Sequence, residues 1–445
     1  MRSFQEFFVF ILLIMLTCVT NVHANSIWIK PLPTKTLKNH PKEMAIFELD
    51  HSPLNNKQPL LLVHGLAGEN RPYFRWEKVI QKFQLNPEMV KSYKIYLLRY
   101  NSKTSLTESV NQFQDILDKF SKTTHNQPIT VIALSMGGNL IYESMLDAKT
   151  EAKIKVLVTM GTPFHGTPLF CPDWMQYGIY KSDMFFFSKI DLAIAYHLFF
   201  HKNPTLTHEI RWDNCDKAIP DIGSFKSWLP FGPKGNLTIP NTDNKYLHNI
   251  NSLGYGKDKL ITYAGYMLNG YMLPTPIRYL KSTICLPYSF VAVYVPAFFA
   301  REKAALKLIN KTISEIQSTK QCQKLNNTKF VYHLNDGITP IASAIFIPES
   351  AMLQYPLAKE SDIPNMNKVT DVKVARVFRN IDHLTFITGQ SLISPTNLLT
   401  DELHPKLGKQ SIFDWMMMDL LHSSNETQLA KTPIPYKVIS PKTDL

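Results

Sequence analysis

PITVIALSMGGNLIYESM, residues 128–145, carries a β-branched apolar run from Pro128 to Leu134 straight into Ser135-Met136-Gly137-Gly138, where a helical pattern begins. Strand, sharp turn and helix, with a serine at the turn, is a way of holding a hydroxyl out at the end of a sheet. Such a turn is strained, so small residues must flank the serine for strand and helix to approach. Ala133 and Gly137 occupy those positions, alanine standing where glycine is commoner, and Gly138 gives further room. Ser135 is therefore a candidate nucleophile, and a nucleophile calls for a base, an orienting acid and an oxyanion site. Small-x-Ser-x-Gly alone is also an ordinary strand-to-helix turn, so its surroundings decide.

Outward from Ser135, strands and helices alternate as in a parallel sheet covered on both faces. Gln58 to His64 (QPLLLVH) and Tyr93 to Tyr100 (YKIYLLRY) read as strands, and Tyr73 to Phe83 as a helix. Ser105 to Phe120 carries Val110, Phe113, Ile116, Leu117 and Phe120 at helical spacing. Ile154 to Met160 (IKVLVTM), Leu260 to Tyr266 (LITYAGY) and Val372 to Phe378 (VKVARVF) are short, continuous and apolar, as buried parallel strands are. Ser411 to Leu421 (SIFDWMMMDLL) suits a helix against the sheet.

Two stretches break this regularity. Residues from about 169 to 256 are aromatic and proline-punctuated, and so are those from about 269 to 329. Within the second, Ile284 to Ala300 carries no charge, but Pro287 and Pro296 make it a poor membrane-spanning helix. The expected architecture is an α/β class fold of one core domain, residues 25–445, with two insertions forming a cap.

Four further motifs fall on predicted loops. Asp336 lies in Asn335-Asp336-Gly337-Ile338-Thr339-Pro340, a turn whose amides can hold a carboxylate, though Asn-Asp-Gly is also an ordinary turn. His383 follows the strand ending near Phe378, in Asn380-Ile381-Asp382-His383-Leu384-Thr385-Phe386. The chain has 14 histidines, so position has to single one out. Asp362, Asp371 and His404 are the fallback candidates. HGLAGE, residues 64–69, follows the early strand, and GTPFHGTP, residues 161–168, follows the strand after the serine turn. No zinc spacing, phosphate-cradling loop or nucleotide fingerprint is present in the sequence, and no cofactor is expected.

Together these motifs resemble secreted lipases of the α/β-hydrolase superfamily, over the core and not over the two insertions. The resemblance implies an α/β-hydrolase fold and the chain order nucleophile, acid, histidine, matched by Ser135, Asp336 and His383. Lipase relatives carry the acid in a similar Asp-Gly-x-x-Pro loop and the base in a similar Asp-His-Leu loop. By the same resemblance the oxyanion hole is formed by the backbone N–H groups of Met136 and, from the His-Gly motif, Leu66. His64 then reads as a structural loop residue. GTPFHGTP matches a Thr-Pro-His-x-Gly-like lipase turn in part, Phe164 intervening before His165, and implies a role in shaping the pocket.

The expected chemistry is acyl transfer to Ser135 and then to water. An acyltransferase or an acyl-thioesterase uses the same triad, and a lipid-binding protein without turnover is a further alternative. The greasy insertions suit a fatty acyl chain, since each buried methylene is worth about 0.8 kcal/mol. They equally suit a cap that needs a core of its own. The expected partner is a lipid or other acyl ester.

The N-terminus reads as a cleaved export signal, residues 1–24. Arg2 is followed by an uncharged run from Phe7 to Val19, and Val22-His23-Ala24 is a plausible cleavage site. That run is shorter than the roughly 20 residues a spanning helix needs. The expected location is outside the cytoplasm, secreted or periplasmic. Cys171, Cys215, Cys285 and Cys322 would survive cleavage. In an exported chain four cysteines allow two disulfides in three connectivities, with Cys171–Cys215 and Cys285–Cys322 preferred because each pair falls in one insertion. The net charge of +12 is dispersed, without a nucleic-acid motif. It suits peripheral contact with an anionic membrane surface, at about 1 kcal/mol per nearby Lys or Arg, and solubility explains it equally well.

Overall fold

The computed structural model describes residues 44–69, 71–167, 209–210, 244–254, 256–266, 334, 336, 338–348, 360–366, 368–390 and 397–423. The expected signal peptide (1–24), all five cysteines with their expected pairings, and most of the stretches 169–256 and 269–329 lie outside the described residues.

Seven strands form one sheet in the order β1-β3-β2-β4-β5-β6-β7. They are β1 (Ala45–Glu48), β2 (Gln58–Val63), β3 (Tyr93–Arg99), β4 (Ile129–Leu134), β5 (Ile154–Met160), β6 (Leu260–Tyr266) and β7 (Val374–Arg379). Only β1 runs antiparallel, at the edge beside β3; the other pairings are parallel. Parallel register brings Val63, Ala133, Met160 and Tyr263 toward one end of the sheet, through the pairs Val63↔Ala133 and Met160↔Tyr263. The loops that follow these strands therefore gather along one edge, where an open α/β sheet binds its ligands. This is the mostly parallel, helix-covered α/β-hydrolase fold that the sequence implies.

The central strands are mostly apolar because both faces are covered. Alternate residues face opposite ways, and the core divides accordingly. Leu60, Leu62, Ile132 and Leu134 join one cluster; Leu61, Val63, Val131 and Ala133 join the other. On the first face lie α1 (Glu77–Gln84), α2 (Pro87–Ser92) and a C-terminal helix, Ile412–His422, through Val79, Ile80, Phe83, Met89, Trp415 and Leu420. On the second lie α3 (Leu106–Thr123) and α4 (Met136–Ser144), through Val110, Phe113, Leu117, Leu140 and Ile141. Serine caps start two of these helices: Ser105 Oγ accepts from the Glu108 N–H at 3.1 Å, and Ser411 Oγ from that of Asp414 at 3.1 Å. Each such cap is worth about 1 kcal/mol.

Three departures from the sequence reading have physical causes. The helix expected from Tyr73 begins only at Glu77, because Tyr73, Phe74 and Arg75 have positive φ. That left-handed turn puts Phe74 into the core, 5.6 Å from the His64 ring and 5.7 Å from Phe47. The short edge strand β1 and the six-residue α2 have no periodicity long enough to read. Helix α6 (Lys245–Ser252), which follows the short α5 (Ala148–Ala152), lies within the stretch read as the first insertion. It packs Tyr246 and Ile250 on the second cluster and buries Leu247, and its polar sequence KYLHNINS conceals that face.

Candidate active site

Ser135 stands between β4 and α4 with φ 54° and ψ −131°. That backbone conformation is uncommon for a residue with a side chain and costs of order 1–3 kcal/mol, held by the surroundings. The restraints are visible. The Ser135 N–H donates to the Met160 carbonyl at 2.8 Å. The Ser135 carbonyl accepts from the Gly138 N–H at 2.8 Å and from Thr162 Oγ1 at 3.0 Å. The glycines are there for room: a Cβ on Gly137 would sit 2.4 Å from the His64 carbonyl oxygen, and one on Gly138 2.0 Å from Thr162 Oγ1. Thr162, which clamps the turn from the next strand's loop, carries no signal in the sequence beyond its place in GTPFHGTP.

His383 follows β7, and its Nδ1 lies 2.7 Å from Oδ2 of Asp336. Both side chains are buried. The other carboxylate oxygen, Asp336 Oδ1, accepts from the N–H groups of Ile338 at 3.0 Å and Thr339 at 2.8 Å. The His383 N–H donates to the Asp336 carbonyl at 2.8 Å, so the two loops are joined by backbone as well. Asp382 shapes the histidine loop, its Oδ1 accepting from the N–H groups of Leu384 and Thr385. Gly161 brings this pair and the serine to one place. A Cβ there would meet His383 Nδ1 at 2.7 Å and Asp336 Oδ2 at 2.8 Å, while the preceding Met160 carbonyl holds the Ser135 N–H.

The HGLAGE loop lies against the same turn. A Cβ on Gly65, the residue before Leu66, would be 2.9 Å from Ser135 Cβ. Met136 is the first residue of α4, and the N–H there has no acceptor within its own helix. The positive end of that helix also favours a developing negative charge. His64 is buried with Nε2 accepting from the Tyr100 N–H at 3.3 Å, which leaves Nδ1–H to donate to the Gly65 carbonyl at 2.8 Å. Burial lowers its pKa to about 4, against the opposing effect of the Gly65 bond and with help from the Arg75 and Arg99 charges. It is thus a neutral structural residue, stacked on Tyr100 with ring centroids 4.4 Å apart.

The fallback candidates lie elsewhere. Asp371 pairs with Lys257 at 3.0 Å, and Asp362 closes a 3-10 turn, Glu360–Asp362. His404 bonds Asp401 at 2.8 Å, beside the buried Arg376. His165 ties its own loop to residues 343–347: its N–H donates to Ser343 Oγ at 3.0 Å and its Nε2 meets the Ile347 carbonyl at 2.6 Å. Phe164 stacks on Phe346 with ring centroids 4.2 Å apart. Among the described residues no group of three or more His, Cys, Asp or Glu side chains is placed to hold a metal ion, and no helix is long and apolar enough to cross a membrane.

The arrangement has the parts of nucleophilic acyl transfer: a strained serine, a histidine held by a carboxylate, and two backbone segments beside the serine. The lecithin:cholesterol acyltransferase family model matches residues 69–203, the segment that contains the serine turn. No curated protein matches the chain in sequence. Among solved structures, a Bacillus licheniformis lipase in mature form is 14% identical, with a TM-score of 0.36 over 78% of this chain and 93% of that one. Its propeptide form is 13% identical with a TM-score of 0.35, over 68% of this chain and 46% of that one, so the chain spans about half its length. Aspergillus fumigatus lipase B is 18% identical with a TM-score of 0.24, over 28% and 29%. The fold assignment rests on the sheet order and the serine turn.

Proposed function

We propose that this α/β-hydrolase is a serine esterase acting on lipid acyl esters, with Ser135, His383 and Asp336 as nucleophile, base and orienting acid. One observation carries the reading. Met160 and Gly161, adjacent residues at the end of β5, hold the strained serine on one side and meet the buried His383–Asp336 pair on the other. A structural histidine needs no such neighbour.

In the proposed reaction His383 Nε2 takes the Ser135 hydroxyl proton as Oγ bonds to the ester carbon. The carbonyl electron pair moves onto oxygen, where the Leu66 and Met136 N–H groups receive it. Each such donor is typically worth about 3 kcal/mol in the transition state. Collapse restores the carbonyl and breaks the bond to the alcohol, which leaves with the proton from Nε2. Water, deprotonated by the same nitrogen, then attacks the acyl-enzyme and frees Ser135. Asp336 stays ionised, holding Nδ1–H and stabilising the imidazolium.

Lipid esters are favoured by the greasy stretches 169–256 and 269–329, read as a cap, and by the family match at residues 69–203. That match also favours a second reading, in which an alcohol replaces water as acyl acceptor. The proposed setting is outside the cytoplasm, after removal of residues 1–24, with peripheral contact to anionic membranes.

The test is hydrolysis of p-nitrophenyl esters of graded chain length, with fluorophosphonate labelling of Ser135 and Ser135→Ala as control. Rising kcat/KM with chain length and loss of turnover in the variant are expected. A fully active Ser135→Ala protein would refute the mechanism, and a preference for short chains would refute the lipid assignment. Labelling without turnover would favour a binding protein. Transfer to an added alcohol would favour the acyltransferase.

A further inference from the structure

The HGLAGE loop is held by a side chain from the neighbouring strand's loop. Ser102 follows β3, which is paired with β2 in parallel register, so the two loops leave the sheet side by side. Ser102 is fully buried. Its Oγ accepts from the Ala67 N–H at 2.8 Å and donates to Oε2 of Glu69 at 2.8 Å. Glu69 is itself buried and belongs to the same loop. Ala67 has φ 57°, a left-handed conformation that alanine rarely adopts. The Gly68 N–H closes the turn onto the Gly65 carbonyl at 3.2 Å, while Gly65 presses against Ser135. Leu66 lies between these two fixed points.

We infer that Ser102 and Glu69 are positioning residues, which aim the Leu66 N–H at the reacting carbonyl by locking Ala67 in its left-handed turn. The inference rests on the proposed role of Leu66 and extends it to residues the nucleophile–acid–base motifs do not include. The chemistry explains the residue types. A serine hydroxyl can accept from an amide and donate to a carboxylate at once, and the carboxylate fixes which way the hydroxyl proton points. Alanine at 102 would leave the Ala67 N–H and a Glu69 oxygen without this partner. A preorganised donor acts chiefly in the transition state, so its loss lowers kcat and leaves KM nearly alone.

The experiment compares Ser102→Ala and Ser102→Thr with the unmodified enzyme. It reads kcat, KM, the rate of fluorophosphonate labelling of Ser135, and the melting temperature. Expected for Ser102→Ala is a kcat lower by about tenfold or more, a KM within about twofold, and labelling slowed in parallel. Threonine, which keeps the hydroxyl, should restore most of kcat. Unchanged kcat in folded Ser102→Ala overturns the inference, as does a threonine variant no better than alanine. Should Ser102→Ala not fold, Glu69→Gln carries the test, since the amide accepts more weakly; a smaller kcat loss at constant KM is expected, and unchanged kcat overturns it. Ser135→Ala in parallel separates the two ideas. If that variant remains active, the reading of the site fails. If it is inactive while Ser102→Ala is fully active, only the positioning role fails.

Discussion

Asp336 divides its carboxylate between two tasks: Oδ2 meets His383 Nδ1 at 2.7 Å, and Oδ1 accepts the N–H groups of Ile338 and Thr339. The turn amides fix the acid, and the acid fixes the imidazole. Asp336→Asn should therefore leave the fold nearly intact, because an amide oxygen can still take the Oδ1 position. An NH2 group would then face Nδ1 and force the opposite tautomer, leaving Nε2 protonated and unable to accept from Ser135. A kcat lower by about 10⁴-fold is expected, as for the same change in a serine protease. Ester hydrolysis and melting temperature, measured on one preparation, check it; a loss below tenfold would remove Asp336 from the triad.

Room at the serine turn sets a second expectation. A methyl group at Gly137 would lie 2.4 Å from the His64 carbonyl oxygen and 3.0 Å from Val63 Cγ1. Backbone oxygen cannot swing aside as a side chain can, so Gly137→Ala must separate β2 from α4. The expected cost is about 1–3 kcal/mol of stability, read by urea unfolding, with a fall in kcat because Ser135 moves. Wild-type stability in this variant would mean that the turn is looser than its geometry.

The sheet was legible because parallel strands buried on both faces are written as continuous apolar runs. Ile154–Met160 and Leu260–Tyr266 coincide with the expected bounds, and the others shift by a residue or two. The strained turn at Ser135 and the loops that pair Asp336 with His383 were legible because each lies in a short motif just after a strand or turn. Ser102, Glu69 and Thr162 were not. Ser102 bonds the Ala67 N–H and Glu69, and Thr162 bonds the Ser135 carbonyl, across loops brought together by sheet order, and no spacing along the chain encodes those neighbours. Helix α6 was hidden for a similar reason: its inner side is Leu247 and Asn251, with half-buried Tyr246 and Ile250, among polar residues.

Two groups should give the stability opposing pH dependences. Burial lowers the His64 pKa to about 4. The folded state then binds fewer protons than the unfolded one between about 4 and 6.5, so this contribution is full above 6.5 and is lost as pH falls. Glu143, on α4, has a pKa raised to about 7, by burial first and by Glu209 with it, against the bond from Tyr246. Its folded state binds more protons, so this contribution is full below about 4.5 and is lost as pH rises toward 7. Melting temperatures of wild type and Glu143→Gln, compared across pH 4.5 to 7, should differ progressively, the wild type losing ground as pH rises. A constant difference would contradict the assigned shift.

Arg376 on β7 is buried between two carboxylates, with Nη1 2.9 Å from Asp401 Oδ2 and Nε 2.6 Å from Asp419 Oδ2. Tyr263 on β6 donates its hydroxyl to Asp419 as well, and the Tyr263 carbonyl accepts the Gly161 N–H. The network thus pins the C-terminal helix to the two strands that lead into the candidate site. The two acids are not equivalent. Asp401 also accepts from the N–H groups of Val377 and Leu403 and bonds His404, whereas the bonds to the Asp419 carboxylate come from Arg376 and Tyr263. Removing one partner strands a buried charge, typically at a cost of about 3–5 kcal/mol, while replacing both with apolar groups is often nearly neutral. Asp419→Ala should therefore destabilise by about that amount in urea unfolding. Arg376→Met combined with Asp419→Leu should recover part of the loss, since Asp401 retains its amide donors. If the double variant is less stable than the sum of its two single changes, the network's cost and gain are not divided as the geometry implies.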